Sequence, residues 1–136
     1  MQLEYPSPTV SRGALWAGRV LSALPALFLL LDAAMKLVKP APVVEATVGM
    51  GFSEDVILPL GVVLLVSTVL YLLRPTAVLG AILLTGYLGG AVATHVHAGH
   101  GAFQVLFPVL FGAALWGGLV LRDRRLRSLL PWRGGE

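Results

Sequence analysis

The sequence predicts an all-α integral membrane protein: a four-transmembrane-helix bundle with a short interfacial helix between helices 1 and 2. Three observations predict it. The 136 residues are 57% hydrophobic and only 12% charged, about half the charge of an ordinary soluble domain. Several apolar runs approach or exceed the roughly 18–20 residues that cross a hydrocarbon core of about 30 Å. The charges that remain gather beside those runs, with arginines at their ends, which is the pattern of membrane orientation. The formal charge of +3 therefore points to lipid headgroups, and no aromatic-and-basic module for nucleic acid is visible. The chain has no cysteine, which excludes disulfides, thiolate metal sites and Cys-ligated iron–sulfur clusters.

Residues 1–13 form a polar, proline-interrupted N-terminal tail, and residues 14–121 form the single membrane domain. The first span covers about 14–38 and reads as an uncleaved helix rather than a signal peptide, because apolar sequence continues past Ala33 and Ala34 into Leu37 and Val38. Pro25 removes a backbone bond in its middle, and Pro40 and Pro42 stop it. A short helix is expected from Pro42, with Val44, Thr47 and Val48 on one face and Gly49 or Gly51 at its end. Ser53 followed by Glu54 and Asp55 reads as an N-cap with acids in the first turn. The second span covers about 56–73, with Pro59 near its start, and Arg74-Pro75 makes a tight turn.

The third span, about 76–94, is rich in small residues. Gly86, Gly90 and Thr94 repeat every four residues, as do Ala81, Thr85, Gly89 and Ala93. Such spacing lets helix backbones approach closely in lipid, either within one chain or against a second copy in a homodimer. The fourth span, about 102–121, carries Pro108 and a small-residue groove at Ala114 and Gly118. Residues 122–136 form a basic interfacial tail whose leucines and Trp132 anchor it along the membrane surface.

Four spans place both termini on one side. That side holds Arg12, Arg19, Arg74, Arg122, Arg124, Arg125, Arg127 and Arg133, against Lys36 and Lys39 on the other. The positive-inside rule makes the termini cytoplasmic and turns Asp32, Lys36, Glu45 and the histidines outward.

Ionised residues at bilayer depth are functional candidates. At about 1.5 Å per residue, Asp32 lies about 25 Å along its helix and His95 about 28 Å along its own, so the two share a depth. Gln104 belongs to the same layer, and Glu45 joins it if the short helix folds back over the bundle. Asp32 and Lys36 are four residues apart with the acid first, the favourable order on one helix face. They form a mutually neutralising ion pair or a polar cradle for a ligand headgroup, or Asp32 alone relays protons. Glu45 and His95 form either a proton-transfer pair or separate interfacial side chains. His95 and His97 stand about 200° apart on a continuing helix, so with His100 they make no metal site unless the helix stops between them. The candidate ligand-binding residues are thus Asp32, Lys36, Glu45 and His95, followed by Thr94 and Gln104. Tyr87 and Trp116 read as packing residues.

At these residues the chain resembles the DoxX-like family of small bacterial membrane proteins. The matching stretches are DAAMK from Asp32, KPAPVVEATVGMGF from Lys39, LLTGYLGGAVATHV from Leu83 and LRDRRLRSLLP from Leu121. The resemblance implies a four-helix bundle in the bacterial inner membrane. Some relatives are described as membrane subunits of thiosulfate–quinone oxidoreductase systems or as partners in oxidative-stress complexes. The resulting expectation is an outer-facing pocket for quinone, or another small apolar molecule with a polar head, in a redox-linked role with a partner subunit. The alternatives are a small proton-coupled transporter or exporter and a non-catalytic structural membrane subunit.

Overall fold

The computed structural model describes residues 11–129, and every regular element in it is helical. Four long helices, α1 (Arg12–Val38), α3 (Ile57–Leu72), α4 (Ala77–His97) and α5 (Ala102–Arg122), are long and apolar enough to cross a membrane, α3 with the short 3-10 turn Glu54–Val56 that leads into it. Two short helices, α2 (Ala41–Gly49) and α6 (Arg124–Leu129), flank them. The Trp132 and Arg133 part of the interfacial tail lies outside the described residues.

The helix ends follow local chemistry. Ser11 accepts a hydrogen bond from the Ala14 backbone N–H at 3.1 Å, so α1 begins at Arg12, inside the segment expected to be tail. The helix continues through Pro25 and ends where Lys39 adopts a left-handed conformation at φ 56°, its N–H bonded to the Met35 carbonyl. Pro40 and Pro42 bracket the first turn of α2, and Gly51 at φ +95° turns the chain after it. Ser53 precedes the 3-10 turn without a side-chain capping bond. The α2 face turned to the bundle carries Val43, Ala46 and Thr47, continued by Met50 just past the helix end. Thr47 is buried on this inward side, whereas Val48, expected on the same face as Thr47, is 48% exposed.

The long helices form a square in which α1 packs on α3 and α5, and α4 packs on the same two. Neighbours run antiparallel, because each pair meets through opposite ends: Lys36 of α1 against Gly61 of α3, Gly80 of α4 against Tyr71 of α3, and Gly18 of α1 against Gly118 of α5. These glycines sit where backbones touch. A Cβ on Gly118 would lie 2.8 Å from the Gly18 carbonyl oxygen, and one on Gly61 would lie 2.9 Å from the Lys36 Cβ. The glycine stripe of α4 behaves otherwise: a Cβ on Gly86, Gly89 or Gly90 would meet nothing within 4 Å. Close contact between backbones therefore uses Gly18, Gly61, Gly80 and Gly118 and not Gly86, Gly89 or Gly90, whereas Ala81 of the same small-residue repeat is buried in the core.

The core holds Ala26, Leu29, Leu64, Leu84 and Leu115, closed at the end bearing the chain termini by Tyr71. The Tyr71 hydroxyl donates to the Leu115 carbonyl at 2.6 Å and accepts from the Ser22 hydroxyl, 2.8 Å away. One side chain thereby links α3, α1 and α5, and a polar group buried in an apolar layer is satisfied. The outward faces carry leucines such as Leu24, Leu27 and Leu110, which suits lipid as the surrounding solvent.

Candidate functional site

At the end of the bundle away from the termini, the helices enclose a cavity of about 580 Å³. Its apolar wall is aromatic. Phe28 of α1 stacks on Phe111 of α5 with centroids 5.0 Å apart, and Phe107 packs edge-on against Phe111 at 4.6 Å. The spacing of Phe103, Phe107 and Phe111 puts one ring on each successive turn of the same α5 face, and that spacing was the sequence signal for this wall. Pro108 lies between them in the lining. The α4 wall is made of Gly86, Tyr87, Gly90, Ala91 and Thr94. Side chains absent at Gly86 and Gly90 are what leave the space open, so the stripe supplies volume rather than helix contact. The inward face of α2 closes the outer side with Val43, Ala46, Thr47 and Met50.

The polar groups enter this wall at a few points. Lys36 Nζ donates to both oxygens of Asp32, each at 2.6 Å. The lysine side chain is 15% exposed and the aspartate 36%, so the pair sits at the cavity edge with partial desolvation. An ammonium carries three N–H donors and a carboxylate about four lone-pair sites. After the mutual bonds, the pair keeps one donor and several acceptor positions. The close crossing at Gly61, against the Lys36 Cβ and the Ala33 carbonyl, fixes the lysine stem and so its reach.

Thr94 and His95 line the cavity from α4. The Thr94 hydroxyl donates to the Gly90 carbonyl at 2.8 Å, and the Thr47 hydroxyl donates to Val43 in the same way. Both therefore face a ligand as acceptors only. His95 Nδ1 lies 2.7 Å from Nδ1 of His100, because the turn at Gly99, φ +72°, folds the loop back over the end of α4. One ring supplies the shared proton and the other accepts it, and Nε2 of His95 stays available to a ligand in either tautomer.

The six residues singled out in the sequence thus divide. Asp32, Lys36, Thr94 and His95 line one cavity. Glu45 is exposed and outside its lining, because it stands about 200° around α2 from both Val43 and Thr47. The ring partner of His95 is accordingly His100 and not Glu45. Gln104 lies on the same α5 face as Phe107, Pro108 and Phe111 but one turn further out, where it is exposed. Tyr87, read as packing, does pack against the core and also lines the cavity, and its place on the Gly86–Gly90 face was the signal for this. Trp116 packs against the core, half-buried, with its indole N–H bonded to the Thr85 hydroxyl of α4 at 2.7 Å. Among the described residues no three His, Cys, Asp or Glu side chains gather into a metal site.

The arrangement is an amphipathic container with an aromatic floor, a hydrogen-bonding rim and an ion pair that both donates and accepts. No match to the chain was found among curated proteins or among solved structures. The model of the DoxX-like family matches residues 20–118, a stretch that takes in every residue lining this cavity. With four apolar spans folded into one helical bundle, this chain belongs to the DoxX-like family of membrane proteins.

Proposed function

We propose that the cavity binds a small, largely apolar molecule with a polar head, quinone being the first candidate, in a redox-linked role. The observation that carries this reading is the make-up of the cavity wall: the rings of Phe28, Phe107 and Phe111 line the same space as the Asp32–Lys36 pair and His95. A quinone ring is flat and apolar and carries carbonyls that accept hydrogen bonds. The remaining Lys36 N–H suits those carbonyls, as does the His95 Nε2–H in the tautomer whose Nδ1 accepts from His100, and the Asp32 carboxylate suits the hydroxyl of the corresponding quinol. Reduction of a quinone bound there takes two electrons, which a partner oxidoreductase subunit would supply, and two protons. We place the chain in the bacterial inner membrane with both termini cytoplasmic, on the strength of the arginines at the terminal end of the bundle.

The test is binding of a short-chain quinone analogue to the full chain in mild detergent, followed by fluorescence quenching and by mass spectrometry of what co-purifies. Gly90→Leu should abolish binding by filling the cavity, since nothing stands within 4 Å of a Cβ at Gly90. The double variant Asp32→Ala with Lys36→Ala should weaken it about tenfold or more, removing both charges together so that neither is left unpaired. Glu45→Ala, outside the lining, should bind as the parent does. Unchanged binding in Gly90→Leu, or none in the parent protein, overturns the reading.

A further inference from the structure

The end of the bundle that bears the termini holds a second cavity, of about 720 Å³, between α1, the α3–α4 turn and the junction of α5 with α6. Four arginines line it, Arg19, Arg74, Arg122 and Arg125, with Asp123 as the one acid in its wall. The four come from three separate parts of the chain, so the fold, not a local charge run, brings them together. Among the described residues none of them forms a salt bridge; the two ion pairs, Asp32–Lys36 and Lys39–Glu54, are at the other end. The Asp123 carboxylate accepts the Arg125 backbone N–H at 2.9 Å and forms no salt bridge among the described residues.

Arg122 is the inner wall of this cavity. Its guanidinium carbon lies 5.7 Å from the centre of the Tyr71 ring, and its Nε approaches the Gly118 carbonyl at 3.4 Å. Its Nη2 is buried and has no hydrogen-bond partner among the described residues. Nearby Arg127 behaves differently, donating to the Val120 and Leu121 carbonyls at 2.8 and 3.0 Å and so capping the end of α5. One arginine thus serves the helix terminus, while four converge on a space that holds a single acid. A buried guanidinium N–H without an acceptor is costly, and a cluster of guanidinium forks matches the oxygens of phosphate.

We infer that this cavity is a binding site for a phosphate-bearing anion, with Arg122 as its inner ligand and Arg19, Arg74 and Arg125 closing around it. The cavity lies where the apolar spans end, at Arg122 and before Arg74, which is the level of lipid headgroup phosphates. The same chemistry would accept a soluble phosphate compound.

The experiment uses the full chain in a neutral detergent, followed by thermal unfolding and native mass spectrometry. The probes are phosphatidylglycerol, phosphatidylcholine and inorganic phosphate. A saturable single-anion adduct with a raised unfolding temperature is expected, and added salt should weaken it. Arg122→Gln and Arg74→Gln should each weaken binding by about tenfold or more. Arg74 is exposed in a turn, so that variant remains informative if Arg122→Gln fails to fold. Arg124→Gln, outside the lining, should leave binding unchanged. Protection by phosphatidylglycerol but not by inorganic phosphate assigns the site to a lipid headgroup. Protection by inorganic phosphate alone assigns it to a soluble phosphate compound. The inference is overturned if neither probe binds, if phosphatidylcholine protects as well as phosphatidylglycerol, or if Arg124→Gln loses as much affinity as Arg74→Gln.

Discussion

Tyr71 shows how much one side chain decides in an apolar bundle. It is fully buried, and its two hydrogen bonds reach Ser22 on α1 and Leu115 on α5. Nothing around Tyr71 in the chain announces this, since neither partner is a sequence neighbour. Interhelical hydrogen bonds in membranes contribute about 0.6 kcal/mol on average, with a maximum near 1.7. Tyr71→Phe should therefore lower stability by roughly 1 kcal/mol in a reversible detergent unfolding titration. Ser22→Ala should cost less, and the double variant should cost less than the two losses added, because both act on one bond. Strict additivity would mean that the hydroxyls do not interact. Asp32 and Lys36 are the opposite case. Their spacing of four was enough to pair them, because a helix converts sequence distance directly into geometry.

At the scale of helices, glycine has two separate uses that sequence spacing does not distinguish. Gly18 and Gly118 let α1 and α5 touch, and a Cβ on either would lie within 3.0 Å of the partner backbone. Gly118→Ala should thus force the helices apart and lower stability by about 1–3 kcal/mol or more. Gly89 is in a helix of the same kind with nothing within 4 Å of its would-be Cβ. Gly89→Ala should be neutral or raise stability by up to about 1 kcal/mol, the gain from helix propensity. Thermal unfolding of the two variants side by side checks this, and equal losses would contradict the assigned crossing. The four-residue repeat of α4 is plain in the sequence, but which neighbour lies across from it depends on helix rotation. Rotation is set by packing against α3 and α5, and it turns Gly86 and Gly90 towards the cavity.

Over the whole molecule, the two cavities sit at opposite ends of one bundle, one aromatic with an ion pair and one lined by arginine. The absence of cysteine makes the orientation directly measurable. Ser53 and Ser128 are both exposed and belong to opposite ends, and each can be changed to Cys as the chain's one thiol. In intact spheroplasts, Ser53→Cys should react with a membrane-impermeant maleimide, and Ser128→Cys should react only after lysis. The reverse pattern would invert the orientation proposed above. The sequence by itself determined the class of protein, the four helices long and apolar enough to cross a membrane, and the short α2. These follow from hydropathy, from proline and from a fixed rise per residue, all of which are properties of the chain read along its length. Tertiary structure alone decided that α2 turns Glu45 away, that His95 meets His100, that Tyr87 lines a cavity and that arginines from three places converge. Each of those depends on rotation about a helix axis or on which ends meet, and only side-chain packing between elements sets either.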